Sequence, residues 1–540
     1  MQYQEKCERR SARNRLQSVA TLLLLLLTVL PVFFFCGPPK PREVPGTVRG
    51  EEPIPPYNVL EARLKSEVWG ERSGAILEIM RGEYRQAVPE LTRLLTQDPH
   101  PAVRQTAALA LGDFQARAAG PAIGRMITGD TETGPDYLMD ALARMGDPAN
   151  ARYVLPMLES NRDVLRLKAV ETLGILKAKQ AAGDILAMAR RNRDRDKART
   201  YAMALGMIGA QQAAPYLIQL ASREPAGPTL AAAYLALGRV GSAAGVPVLA
   251  AALTKDFDKG RENAVAALVQ IKDKSALPRV FPLLEHKDAA ARFSAAEVIA
   301  GIPDADSGPR ALTILKKREA PSIAPAVFVL GRLKYSPARE EIEIQLSDAS
   351  APEREALARS LGWLGDAKSV PLLIRVLSEQ SGEGRYGAAW ALGVLGDERA
   401  LDPLRAAAKS NDRKLALYAT EALGGLASPA ALGDLEAAVN NRPEIRYAAV
   451  DAIAVTPGDE AREILEGFAA ASNSDLELQL AAVRALGNRK SPESIPTLIG
   501  VVDKGSTETA RAAMAALRNI TGLKYENRSQ WRHWDEMRER

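Results

Sequence analysis

A chain of 540 residues is longer than one compact core usually grows, which predicts several domains or an elongated repeat array. Aromatic residues are only 5% of it, and 34 prolines stand among Ala- and Leu-rich helical patterns with no long Val/Ile/Thr alternation, which argues for many short helices and against a sheet. The net charge of +5 is distributed with mixed signs, which argues against a general nucleic-acid binder.

In chain order, a basic tail over residues 1–18 comes first, with Lys6, Arg9, Arg10, Arg13 and Arg15. Residues 19–36, VATLLLLLLTVLPVFFFC, form an uncharged apolar run. As a helix it would span about 27 Å, close to one bilayer hydrocarbon core. The expectation is a single transmembrane helix preceding the body. A cleaved signal and a lipoprotein built on Cys36-Gly37 are the alternatives, disfavoured because three phenylalanines stand where small residues are wanted.

Fewer basic residues follow the run (Lys40, Arg42, Arg49) than precede it, which predicts a cytoplasmic N-terminus and a body outside the cytoplasm, in the cell envelope. Residues 37–56 are proline-rich and predict a semi-rigid linker. Cys7 and Cys36 both precede the patterned body, so no disulfide staples it.

Over residues 57–523, alignment on the Leu-Gly dipeptide gives an anchor position that recurs at Leu111, Leu142, Leu173, Leu205, Leu237 and onward to Leu392, Leu423 and Leu517, with steps of 30 to 33 residues. A fixed period of this kind marks stacked supersecondary units, none able to bury its apolar face alone. Four residues before most anchors the side chain is alanine, as at Ala107, Ala169, Ala388 and Ala419, which places a small-over-large stripe on one face of a helix B. An earlier pattern in each unit, often with proline near its start (Pro89, Pro215, Pro371), predicts a helix A. Glycine after the anchor marks either tight packing or the approach of the helix end. These features predict an all-α fold, a right-handed α-solenoid of about fourteen two-helix units over residues 57–523 with a cap or tail over 524–540.

Gly382-x-Gly384-x-x-Gly387 imitates a dinucleotide-binding turn, but no strand precedes it, and the string reads as a repeat turn. An arginine recurs seven residues before many anchors, as at Arg104, Arg166, Arg261, Arg354 and Arg385. It is expected to pair with acids in the inter-helix turns, such as Asp98 and Asp288. Residues 189–199, ARRNRDRDKAR, interleave acids with arginines and read as a solvated turn.

PAVRQTAALALGD at 101–113, SVPLLIRVLS at 369–378 and GRYGAAWALGVLGD at 384–397 resemble the short bacterial HEAT-like repeats called PBS-lyase HEAT-like repeats. The resemblance covers residues 86–523 and implies a stack of helix pairs. The bilin attachment carried out by some members of that group is not implied by these residues. Residues 517–534 are similar to the ending of exported bacterial HEAT arrays, and Trp531 and Trp534, one helical turn apart, are expected to cap the stack.

His100, His286 and His533 are scattered, and no H-E-x-x-H, Walker A, G-x-S-x-G or His-Glu string is present. The expectation is a non-enzyme with no cofactor, no metal and no evident small-molecule substrate; an enzyme or a cofactor or chromophore carrier of lyase-like type is the alternative. What remains is surface. The polar columns of helix B, two and about five to six residues before the anchor, give Glu355, Arg359, Tyr386, Trp390, Tyr418, Glu421, Tyr447, Asp451 and Arg484. Aromatics flanked by charges on a concave face suit a protein or peptide partner, the alternative being rings that only pack between layers.

Overall fold

Each helix B is built around its anchor. In Pro101–Asp113 the side chains of Leu111 and Ala107 are fully buried, and the same holds for Leu392 and Ala388 in Gly384–Leu395. A fully buried leucine stabilises its unit by roughly 1.5–3 kcal/mol, so the periodic anchors carry a large share of the core. A residue in the left-handed region then ends the helix. Gly146, Gly209, Gly241, Gly365 and Gly396 take that position in some units, and Gln115, Lys177, Lys272, Ala427 and Lys490 in others. Next comes an extended residue whose side chain, where it is aspartate, accepts the backbone N–H two positions on: Asp147 from Ala149, Asp366 from Lys368, Asp397 from Arg399. A one-turn 3-10 helix leads from there into helix A.

The computed structural model describes residues 55–129, 132–255, 257–348, 353–471, 475–523, 525 and 527–538. Among them there is no strand. The result is an all-helical solenoid. Each helix B packs on the B helices before and after it and on its own helix A, and the core runs as one continuous strip between the two layers. Two A helices change to 3-10 form midway, Ala151–Val154 into Leu155–Glu159 and Leu277–Val280 into Phe281–Glu285. Pro156 and Pro282 sit at those changes, where proline removes an intrahelical N–H donor.

The stacking begins one unit earlier than the Leu-Gly alignment detects. Tyr57–Arg63 and Trp69–Arg81 form a pair in which Ile79 is the anchor, with Ala75 four residues and Arg72 seven residues before it. Met80 follows Ile79, so this unit lacks the Leu-Gly pair, and the aligned anchors start only at Leu111. At the other end Arg528–Arg538 packs on Ile495–Lys504 as the next helix A would. Its Trp531 is fully buried, with its ring edge-on to Tyr525 and Trp534 at 5.1 and 5.7 Å between centroids.

The expected membrane localisation is corrected. No helix among the described residues is long and apolar enough to cross a membrane. The longest of them, Thr507–Thr521, has 15 residues, about 22 Å at 1.5 Å per residue, against about 30 Å of hydrocarbon. The apolar run at 19–36 on which a single-pass protein was expected, together with the basic tail and nearly all of the linker, lies outside the described residues.

Candidate functional site

Two ladders hold the B helices in register and so fix where their surface side chains stand. At the N-terminal ends the recurrent arginine ties one unit to the next. Arg72 donates two hydrogen bonds to the Asp98 carboxylate, at 2.7 and 2.8 Å, and a third to the Ser66 carbonyl. Arg354 bridges the Leu346 carbonyl and Glu379, Arg385 reaches Asp412 at 2.9 Å, and Arg261 reaches Asp288 at 3.3 Å. Asp288 and Asp412 at the same time cap the B helices that follow them, accepting from Ala290 and Ala291 and from Lys414 and Leu415. Burial pushes the Asp98 carboxyl up, but Arg72 and the His100 backbone N–H outweigh it and hold that carboxyl below its usual range.

At the C-terminal ends, where a glycine follows the anchor it lies inside the helix, not at its end, and meets the next helix B. A Cβ on Gly238 or Gly393 would fall 2.6 Å from the Cα of Ala267 or Ala422. Tight packing is therefore the reason for this glycine. The nucleotide-like string has the same explanation. Gly382 has φ +106°, Gly384 opens Gly384–Leu395, and a Cβ on Gly387 would fall 2.4 Å from the Glu355 carbonyl oxygen of the preceding helix B.

On this frame the residues singled out in the sequence separate into two neighbouring groups. Glu355, Arg359, Tyr386, Trp390 and Tyr418 are brought together. Arg359 pairs with Glu355 at 2.9 Å and lies over the rings of Trp390 and Tyr418, 5.3 and 5.2 Å from their centroids. Lys414 sits 4.1 Å from the Tyr386 centroid and reaches Glu355 at 3.3 Å, across 59 residues of sequence and the whole intervening unit. Tyr386 donates its hydroxyl to Asp412 at 2.9 Å; burial and that bond raise its pKa. All three rings are half-buried and pack on the core while keeping an open side.

Glu421, Asp451 and Arg484 continue the column two residues before the anchor on the next three B helices, and Tyr447 is 45% exposed beside them. Burial raises the Glu421 carboxyl; Arg359 opposes this and Asp451 adds to it. Burial likewise raises Asp451, with Arg484 opposing; Asp451 keeps open solvent access, so its desolvation is partial.

Residues 57–133, 184–261, 246–327, 339–424 and 435–518 match the family of HEAT repeats. The chain belongs to the HEAT-repeat family. Its solenoid is similar to importin beta (16% identity over 86% of this chain and 72% of that one, TM-score 0.41). It is also similar to Kap95 in the Kap95:Nup1 complex (14%, 86% and 72%, TM-score 0.49) and to Kap121p bound to Nup53p (12%, 89% and 68%, TM-score 0.41). Against another structure of Kap121p the chain spans 62% of that protein's length. No curated protein matches the sequence.

Three contributors to the HEAT-array surface escaped the sequence reading. Phe328 occupies the same column as Arg359 and Trp390 one unit earlier, and its ring is edge-on to Trp363 at 5.4 Å, which in turn is edge-on to Trp390 at 5.4 Å. Column spacing would have found Phe328. Trp363 stands two residues after its anchor and Lys414 in the first turn of its helix, outside the columns considered.

The remaining polar motifs are occupied by the fold. His100 and His286 accept backbone N–H groups in the turns before their B helices, and His100 stacks on Trp69. In the 189–199 turn Arg195 pairs with Glu224, Lys197 pairs with Asp163, and Asp194 caps its helix. Among the described residues no group of three or more His, Cys, Asp or Glu is placed to hold a metal ion.

Proposed function

We propose that this HEAT-repeat protein is a non-enzymatic scaffold that binds a protein or peptide partner across the B-helix face from Phe328 to Arg484. The observation that carries this reading is the half-open aromatic and cationic cluster of Trp390, Tyr386, Tyr418, Arg359 and Lys414. In a chain with only 5% aromatic residues, Phe328, Trp363, Trp390, Tyr386 and Tyr418 fall within four successive repeats of the same B-helix layer. Trp, Tyr and Arg dominate the energetics of protein interfaces because each desolvates a large area at small entropic cost. A frame pinned at both ends of the B helices also keeps these side chains pre-organised, which lowers the cost of binding.

The test is crosslinking in the native host with the tagged full-length chain, followed by identification of what is captured, with Tyr386→Ala/Trp390→Ala as the variant. The expected outcome is a reproducible set of partners lost from the variant, with its helical content and unfolding midpoint retained closely enough to rule out collapse of the stack. Partners captured equally by both proteins would place binding on another face.

A further inference from the structure

Two ties recur between one helix B and the next: the arginine seven residues before the anchor, and the glycine after it. At Gly174, Gly206, Gly238 and Gly393 a Cβ would fall 2.6 to 2.8 Å from the Cα of the alanine just ahead of the next anchor. Several units dispense with one tie. Ala198, Leu230 and Ala416 replace the arginine, but Gly206, Gly238 and Gly424 remain; Val269 and Ala300 replace the glycine, but Arg261 and Arg292 remain. Leu142 is the one anchor with a helix B after it at which both are lost. Pro135 stands in the place of the arginine, and the residues at the close approach are Ala143 and Thr172, each larger than its usual counterpart. Thr172 is fully buried, and its hydroxyl finds no hydrogen-bond partner among the described residues.

The helix A layer is interrupted at the same place. Ala151–Val154 turns to 3-10 form over Leu155–Glu159 at Pro156, and a 3-10 stretch inside a helix marks a hinge or a strained segment. A cavity of about 330 Å³ opens between the two units, with Ile127, Thr128 and Pro135 on one side and Pro156, Met157 and Leu165 on the other. In neighbouring units that end of the B helices carries the arginine bridges, Arg72 to Asp98 and Arg104 to Thr133. Lys168 pairs with Asp140, so the two B helices stay joined at mid-length. Close-packed backbone contact has no rotamers to relax, whereas a junction that rests on side chains beside a void yields more easily.

We infer that the junction between Pro135–Met145 and Asp163–Ile175 is a hinge in the array, about which the units of residues 57–145 swing relative to those after it. The aromatic and cationic cluster is unaffected by such a motion. From Leu330 to Leu423 every anchor is followed by glycine, so Phe328, Trp363, Trp390 and Tyr418 ride on one stiff block. The hinge changes what the N-terminal units can reach while the proposed docking face keeps its shape, and it stands whether or not that face binds a partner.

The test is double electron–electron resonance on the full-length chain, with Cys7 and Cys36 changed to serine and spin labels placed on exposed 3-10 turns. Ala118→Cys/Gln180→Cys spans the hinge and the junction before it; Gln212→Cys/Ser275→Cys spans two junctions that keep their glycines. The expected result is a distance distribution about twice as wide for the first pair. Pro135→Arg/Ala143→Gly/Thr172→Ala, which supplies both ties, is expected to narrow it to the width of the second. Equal widths in the parent would overturn the hinge, and that comparison needs no repaired variant. A wide distribution left unchanged by the repair in a folded array would overturn the missing ties as its cause.

Discussion

Gly238 lies so close to Ala267 on the next helix B that a Cβ added to it would stand 2.6 Å from the Ala267 Cα and 2.8 Å from its Cβ. In an isolated helix Gly→Ala is favourable by about 1 kcal/mol. Here the clash is with backbone, which cannot rotate away, and overpacking of a close-packed contact costs about 1–3 kcal/mol.

Gly238→Ala is therefore expected to destabilise the array, and Gly467→Ala to stabilise it by up to about 1 kcal/mol, since Gly467 is interior to Asp459–Ala470 with nothing within 4 Å of its added Cβ. Urea unfolding of the two variants beside the parent checks both signs. Two changes of the same sign would show that the Gly–Ala ladder is not what spaces the helices.

Asp98→Ala is expected to cost the first units of the stack about 3–5 kcal/mol, because it leaves the nearly buried Arg72 guanidinium without its counter-charge. The pH dependence follows from the lowered Asp98 pKa. The unfolded carboxyl titrates near its ordinary value and the folded one below it, so the pair's contribution is complete above the ordinary value and lost as pH falls through the folded one. Hydrogen exchange in Trp69–Arg81 and Pro101–Asp113, followed from neutral to acid pH, should show parent and variant converging at the acid end.

Glu421→Gln carries the opposite sign. Burial raises the folded carboxyl, so its deprotonation works against the folded state, and wild type is penalised at neutral pH and not once the group is protonated in both states. The variant is expected to be more stable than the parent at pH 7, with the advantage fading as pH falls below the ordinary carboxylate range. Unfolding midpoints across that range check it. An advantage that is constant with pH would mean that lost packing or solvation, not ionisation, explains the difference.

The local repeat was legible because it is written in local spacing. Leu392 and Ala388 lie on one helix face by i, i+4 geometry alone, and a step near 31 residues says that the face is buried by a copy of itself. The same spacing put Arg359, Trp390, Glu421 and Asp451 in one column without any coordinates. It did not pick out Ile79, the anchor of the first helix pair, and it left the glycine after the anchor undecided between packing and termination. That choice depends on how near the next helix comes.

The sequence by itself determined the helix pairs, their period and which side chains of each helix B share a face, because the direction of a side chain is set by its own helix. Only the tertiary structure decided which of those side chains meet. Lys414 lies over Tyr386 and reaches Glu355 two units away, while Glu421 and Asp451 form no ion pair among the described residues. Those contacts depend on the rise and rotation from one unit to the next. Both are set by the close approach of glycine to alanine and by the arginine bridges between turns, acting between residues about thirty positions apart, where no local pattern reaches.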